Sequence, residues 1–156
     1  MSTLYVDNLQ PNLGSRVMAA GHVVQVVQST STTQISTTST SPVDTGFSAS
    51  ITPTSASSKI LVSFFCRLYI NAHSSEITPA IYRNGSTYIQ GGFTVFNGPS
   101  GDRIAAPYYT SILDSPASSS TVTYNLYLNV TGDTGIINPN GGSDGIYGFI
   151  LQEIAQ

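Results

Sequence analysis

From Lys59 to Ile70 every even position is apolar: Ile60, Val62, Phe64, Cys66, Leu68 and Ile70. A period of two places these side chains on one face of a β-strand. The odd positions mix Lys59, Ser63 and Arg67 with Leu61, Phe65 and Tyr69, so the second face meets solvent or a neighbouring subunit. The same alternation returns between Thr121 and Thr131. There Val122, Tyr124, Leu126, Leu128 and Val130 point one way, and Thr123, Asn125, Tyr127 and Asn129 the other. Long strands with one apolar face need a second layer to cover it. No segment of the chain carries a convincing helical period.

The remaining segments fit that frame. His22 to Gln28 has valines on both sides, as a doubly buried strand would. Ser29 to Ser41 is nearly all Ser and Thr, and reads as an extended edge strand or an ordered loop. Val43 to Ile51 alternates through Phe47, Ala49 and Ile51, and Pro53 ends it. Ile77–Arg83 and Ser86–Gln90 flank Asn84-Gly85, a pair suited to a type I′ hairpin turn. Gly91 to Phe96 is a further short strand. Arg103 to Leu113 is strand-like, with Pro107 marking an edge or a bulge. Gly145 to Ile154 is apolar on both faces and reads as a central strand. Turn signals recur every 8–12 residues or so, which predicts a sandwich or barrel of about 8–10 strands. The connections Ile70–Ile77 and Thr131–Ile146 are too long for tight hairpins. The expected fold is therefore all-β: a single jelly-roll-like β-sandwich over residues 21–156. A short extended N-terminal arm, residues 1–20, precedes it and carries Leu4, Val6 and Leu9.

Composition narrows the function. A chain of 156 residues with 40% apolar content makes one domain with a real core. Only 8% of residues are charged, against about 25% in ordinary soluble domains. About a quarter of the chain is Ser or Thr. A net charge of -3 and a single lysine exclude a general nucleic-acid binder. No run of about 18 apolar residues exists to cross a membrane as a helix. The first residues lack the basic and apolar regions of a signal peptide, which predicts cytosolic synthesis. One cysteine allows no intramolecular disulfide. So little surface charge suggests subunits that hide area against one another.

Candidate chemistry is sparse. His22 opens an apolar strand, and His73 lies near Glu76. No Gly-x-Ser-x-Gly turn is present, and the chain is read as a non-enzyme without a cofactor. Two histidines and one cysteine do not make a zinc site. Asp133, Asn138, Asn140 and Asp144 offer oxygens to calcium within Gly132–Gly145, or serve as turn residues. Cys66 on the inward face reads as a buried, inert thiol. Tyr108-Tyr109 beside Pro107 is a possible sugar-stacking pair, equally at home in a sheet or an interface. A three-fold cluster would cover the two-sided terminal strand, with Phe65, Tyr69, Tyr147, Phe149 and Leu151 between subunits. An intrachain second sheet could cover the same residues.

Met1-Ser2-Thr3-Leu4-Tyr5-Val6-Asp7-Asn8-Leu9 resembles the opening of marine cyanophage virion proteins, and Gly21 to Val26 the first strand of their globular domains. Asp44 to Pro53, followed by Ser57-Ser58-Lys59-Ile60-Leu61-Val62, is similar to a segment recurring in phage fibre and surface proteins. The resemblance implies a virion surface protein with a jelly roll like the complement and tumour-necrosis-factor trimers. It implies a homotrimer assembled in the host cytoplasm. Too little chain precedes the domain for a fibre shaft, so a capsid decoration protein is expected. Leu4, Tyr5, Val6 and Leu9 would hold it to the major capsid protein or another virion protein. The alternative is a tail or tail-fibre tip whose loops, around Tyr108-Tyr109 and Gly132 to Gly145, meet host-surface glycan.

Overall fold

The alternation from Lys59 to Ile70 becomes the longest strand of the computed structural model, which describes residues 19–70, 75–92, 95–96, 104–141 and 145–156. The strands are β1 (Val23–Ser31), β2 (Ile35–Thr37), β3 (Val43–Ile51), β4 (Lys59–Ile70), β5 (Glu76–Arg83) and β6 (Thr87–Gly91). They continue with β7 (Val95–Phe96), β8 (Ile104–Asp114), β9 (Val122–Val130), β10 (Gly135–Ile137) and β11 (Tyr147–Ile154).

One edge of β4 pairs with β8 from Ile60↔Asp114 to Ile70↔Ile104. Its other edge is shared: β11 takes Lys59 to Phe65, and β10 takes Leu68 to Ile70. β1 lies along β11, and β2 along β10, in the same relation. In the second sheet β3, β9 and β5 lie side by side, and β6 and β7 share the free edge of β5. The interrupted strands β1/β2, β6/β7 and β10/β11 each act as one line. Among the described residues each sheet then has four lines. The first, eighth, third and sixth face the second, seventh, fourth and fifth. This is the strand order of a jelly roll, closed by Greek-key connections.

The core lies where the two alternating patterns meet. Ile60, Val62, Phe64, Leu68 and Ile70 of β4 are buried, as are Val122, Tyr124, Leu126, Leu128 and Val130 of β9. Each such side chain contributes roughly 1.5–3 kcal/mol by leaving water. Phe47 of β3 reaches across from the second sheet, with its ring centroid 5.7 Å from that of Phe149 and 4.8 Å from that of Tyr147. Phe149 lies 4.9 Å from Phe64. The Ser/Thr run forms the end of β1 and all of β2 at the sheet edge. The Asn84-Gly85 turn has φ of 51° and 68°, the left-handed pair that a type I′ turn requires.

Three expectations are corrected here. β1, expected to be buried on both faces, is an edge strand beside β11, with Val23 46% and Val26 56% exposed. Tyr147, Phe149 and Leu151 belong to the intrachain core, with at most 2% of their surface exposed. They have no area left to bury against another subunit. The reason is register: Phe149 sits opposite Phe64, an inward residue, so β11 turns its odd positions in and its even positions out. Tyr108 and Tyr109 lie in β8 rather than in a loop, and they point to opposite faces. Tyr108 is buried beside Phe64, with ring centroids 6.3 Å apart, and Tyr109 is 67% exposed.

Candidate functional surfaces

Chemistry inside the fold is committed to structure. The Cys66 thiol is buried, and burial pushes its pKa up, so it stays protonated and unreactive. Among the described residues no three His, Cys, Asp or Glu side chains come together to hold a metal ion. Asn138, a calcium candidate by sequence, is buried and acts as a donor. Its Nδ2 lies 2.9 Å from the carbonyls of Thr32 and Gly141 and 3.3 Å from that of Gly145. It thereby ties the interruption between β1 and β2 to the one between β10 and β11. Gln34 adds a bond from Nε2 to the Pro139 carbonyl at 2.7 Å. Asp133 accepts the amide of Thr134 at 2.6 Å, which is turn chemistry. His73 and Asp144 lie outside the described residues.

The outward face of the first sheet is a candidate interaction surface. Partners in register share a face, so its rows can be followed across the strands. One row runs Val26, Gln152, Leu61, Leu113. The next runs Gln28, Ile150, Ser63, Ser111, and the third Thr30, Gly148, Phe65, Tyr109. Further along stand Ser36, Ile136, Tyr69 and Ala105. Val26 is 56% exposed and Leu113 47%. Phe65 and Tyr69, expected between subunits, do stand on this face, half-buried. The Tyr109 hydroxyl donates to Ser63 Oγ at 3.3 Å, and Ser63 and Ser111 hold its pKa below the usual tyrosine value. The charged outward positions are Lys59 and Arg67, and no carboxylate stands on these strands' outward positions among the described residues. At the far end a groove of about 390 Å³ is lined by Arg67, Tyr69, Ala105, Ile136, Pro139 and Asn140.

The outward face of the second sheet differs. It gathers Tyr82, Tyr88 and Tyr127, which the sequence reading did not single out. Tyr82 stands directly opposite Tyr88 on the neighbouring strand. Asn125 is opposite Tyr82, and Ala80 is opposite Tyr127. The one available signal was that Tyr82 and Tyr88 flank the Asn84-Gly85 turn, which makes them a cross-strand pair. Leu4, Tyr5, Val6 and Leu9 lie outside the described residues.

Strand order and core together define an all-β jelly-roll sandwich with two chemically distinct outer faces. No protein-family model matches the chain, and no curated protein matches its sequence. Among solved structures it is similar to the VP2 subviral particle of infectious bursal disease virus. Identity there is 15%, over 85% of this chain and 34% of that one, with a TM-score of 0.44. A T=1 particle of a VP2 mutant of the same virus gives 13% identity over 96% and 41%, with a TM-score of 0.46. A Bacillus endospore appendage, from a family of disulfide-linked pili, gives 14% over 92% and 99%, with a TM-score of 0.35. The chain thus spans between a third and about two fifths of those VP2 chains. The jelly-roll assignment rests on the strand order of the chain itself.

Proposed function

We propose that this protein is a virion structural subunit, a homotrimeric capsid decoration protein held to the shell by its N-terminal arm. The observation that carries the reading is the outward face of the first sheet. Val26, Leu61, Leu113, Ile150, Phe65 and Tyr109 form an apolar surface, interrupted by serines and amides and free of carboxylates among the described residues. Large apolar side chains gathered on one outward face mark an interaction surface. Closed symmetry lets one patch be covered in every copy at once. The jelly-roll order supports the reading as a scaffold common to viral shell and lectin domains, and the opening resemblance to phage virion proteins supports the kind of particle. Leu4, Tyr5, Val6 and Leu9 are the proposed anchoring contacts, by apolar burial and strand addition. Phe65 and Tyr69 remain in the proposed subunit interface, and Ile150 replaces the inward residues of β11.

Quantitative mass spectrometry of purified virions tests this. Copies amounting to a sizeable fraction of the major shell protein are the expected result. A few copies per particle would move the protein to the tail, and absence from the particle would overturn the reading.

A further inference from the structure

We propose that the outward face of the second sheet binds a neutral, hexose-containing glycan on a platform of Tyr82, Tyr88 and Tyr127. The site lies on the sheet opposite the proposed assembly face, and it would serve a monomer as well as a virion subunit. The three rings are held rather than loose. Tyr82 and Tyr127 have ring centroids 4.2 Å apart, and Tyr88 meets Tyr82 edge-on at 5.6 Å and 80°. The Tyr127 hydroxyl donates to the Gly85 carbonyl at 3.0 Å. Tyr88 lies over bare backbone: a Cβ on Gly91 would come within 3.0 Å of both the Tyr88 hydroxyl and the Ala80 Cβ. Rings fixed in this way lose little freedom when a ligand arrives. Tyr88 is nevertheless 56% exposed, with Tyr82 and Tyr127 half-buried behind it, so Tyr88 is the ring that the platform opens to solvent.

The polar groups beside it match a sugar. A hexose presents a face of C–H groups, which favours an aromatic ring, and a rim of hydroxyls, which needs amides and carboxylates. Asn125, opposite Tyr82, is oriented by the Gly85 amide donating to its Oδ1 at 3.2 Å. Asp44, opposite Tyr127, is oriented by the Gly46 amide donating to its Oδ1 at 2.9 Å. Thr78 and Asn129 form the neighbouring row. Charge selects within the class. Among the described residues the outward positions of this sheet carry the carboxylates Asp44 and Glu76 and no lysine or arginine. Sialylated, sulfated and phosphorylated glycans are therefore disfavoured, as are nucleic acids.

The test uses the full chain, an array of neutral and sialylated oligosaccharides, and saturation-transfer NMR with methyl glucoside, galactoside and mannoside. Saturable binding of a neutral sugar with Kd on the order of 1 mM is expected. Tyr88→Ala should weaken it by about tenfold or more while the unfolding midpoint stays unchanged. Tyr109→Ala, on the opposite face, should leave it unchanged. Absence of saturable binding to every neutral sugar overturns the proposal. So does binding that survives Tyr88→Ala, or a Tyr88→Ala chain whose only change is its oligomeric state.

Discussion

Arg83 Nη1 lies 2.8 Å from both carboxylate oxygens of Asp114, and this contact joins the two sheets at one end of the sandwich. Arg83 ends β5 in the second sheet, and Asp114 ends β8 in the first. Tyr124, fully buried on β9, donates its hydroxyl to Asp114 Oδ2 at 2.7 Å. Burial and the neighbouring carboxylate push the Tyr124 pKa up, so it remains a donor at every physiological pH. With the Asp114 side chain 9% and the Arg83 side chain 21% exposed, neither partner is well hydrated. Removing one partner leaves the other charge stranded. Asp114→Ala is expected to destabilise by about 2–4 kcal/mol, below the full buried-pair figure because Arg83 retains some water. The double variant Arg83→Met with Asp114→Leu should recover much of that loss. Urea unfolding of the three chains checks both statements.

Glu153 supplies a pH dependence. Its side chain is fully buried on β11. Burial alone would raise its pKa. Bonds from Thr54, Gln25 and Ser58 to the charged form outweigh burial and hold the carboxyl below the usual glutamate value. The Thr54 amide and hydroxyl donate at 2.8 and 2.7 Å, and Gln25 Nε2 at 2.6 Å. A depressed folded-state pKa means that the unfolded chain takes up the proton first as pH falls. The stabilisation is complete above the ordinary glutamate pKa of about 4.3 and is lost as pH falls through the lower folded value. Glu153→Gln should cost about 2 kcal/mol at neutral pH. The gap in melting temperature between it and the parent chain should narrow as pH is lowered below about 4. A gap that stays constant over that range would count against the network.

Gly148 marks where β1 crowds β11. A Cβ there would run into the carbonyl oxygen of Ser29 and lie 2.9 Å from Thr30 Cγ2. The first contact is backbone, so the edge strand itself would have to move. Gly148→Ala is expected to destabilise by about 1–3 kcal/mol and to speed amide exchange along β1 more than along β8. Hydrogen exchange resolved by strand is the measurement. Equal protection in both strands would place the strain elsewhere.

The inward pattern of β4 and β9 was legible because polar and apolar residues alternate there, and alternation assigns a side to every residue. Gly145–Ile154 offered no such contrast. With apolar residues at odd and even positions, the sequence specifies a strand and leaves its orientation open. Only pairing, Phe149 against Phe64, decides it. The jelly roll itself was readable from strand spacing and long connections. Pro107 was a sound edge signal, because among the described residues β8 pairs with β4 alone. The Arg83–Asp114 contact spans 31 residues of sequence and belongs to two sheets, so no local pattern announces it. The tyrosine platform is similar: register assembles it from β5, β6 and β9, and each tyrosine alone is an ordinary strand residue.

Register also separates assembly from stability. Phe149 faces the core and Leu113 faces outward, although both lie in the first sheet. Phe149→Ala removes most of a fully buried ring between Phe47 and Phe64, and should lower stability by about 3–5 kcal/mol. Its assembly should suffer only to the extent that the fold does. Leu113→Lys, at a position 47% exposed, should leave the unfolding free energy of the monomer within about 0.5 kcal/mol of the parent. It adds a cation to a face that already carries Lys59 and Arg67, and so should shift the proposed trimer towards monomer. Val26→Lys, at the opposite end of the same row, should act in the same direction. Light scattering during size-exclusion chromatography reads the assembly, and denaturant unfolding reads the stability. An intact trimer in both lysine variants would remove this face from the interface and leave the edges of the sandwich to carry it.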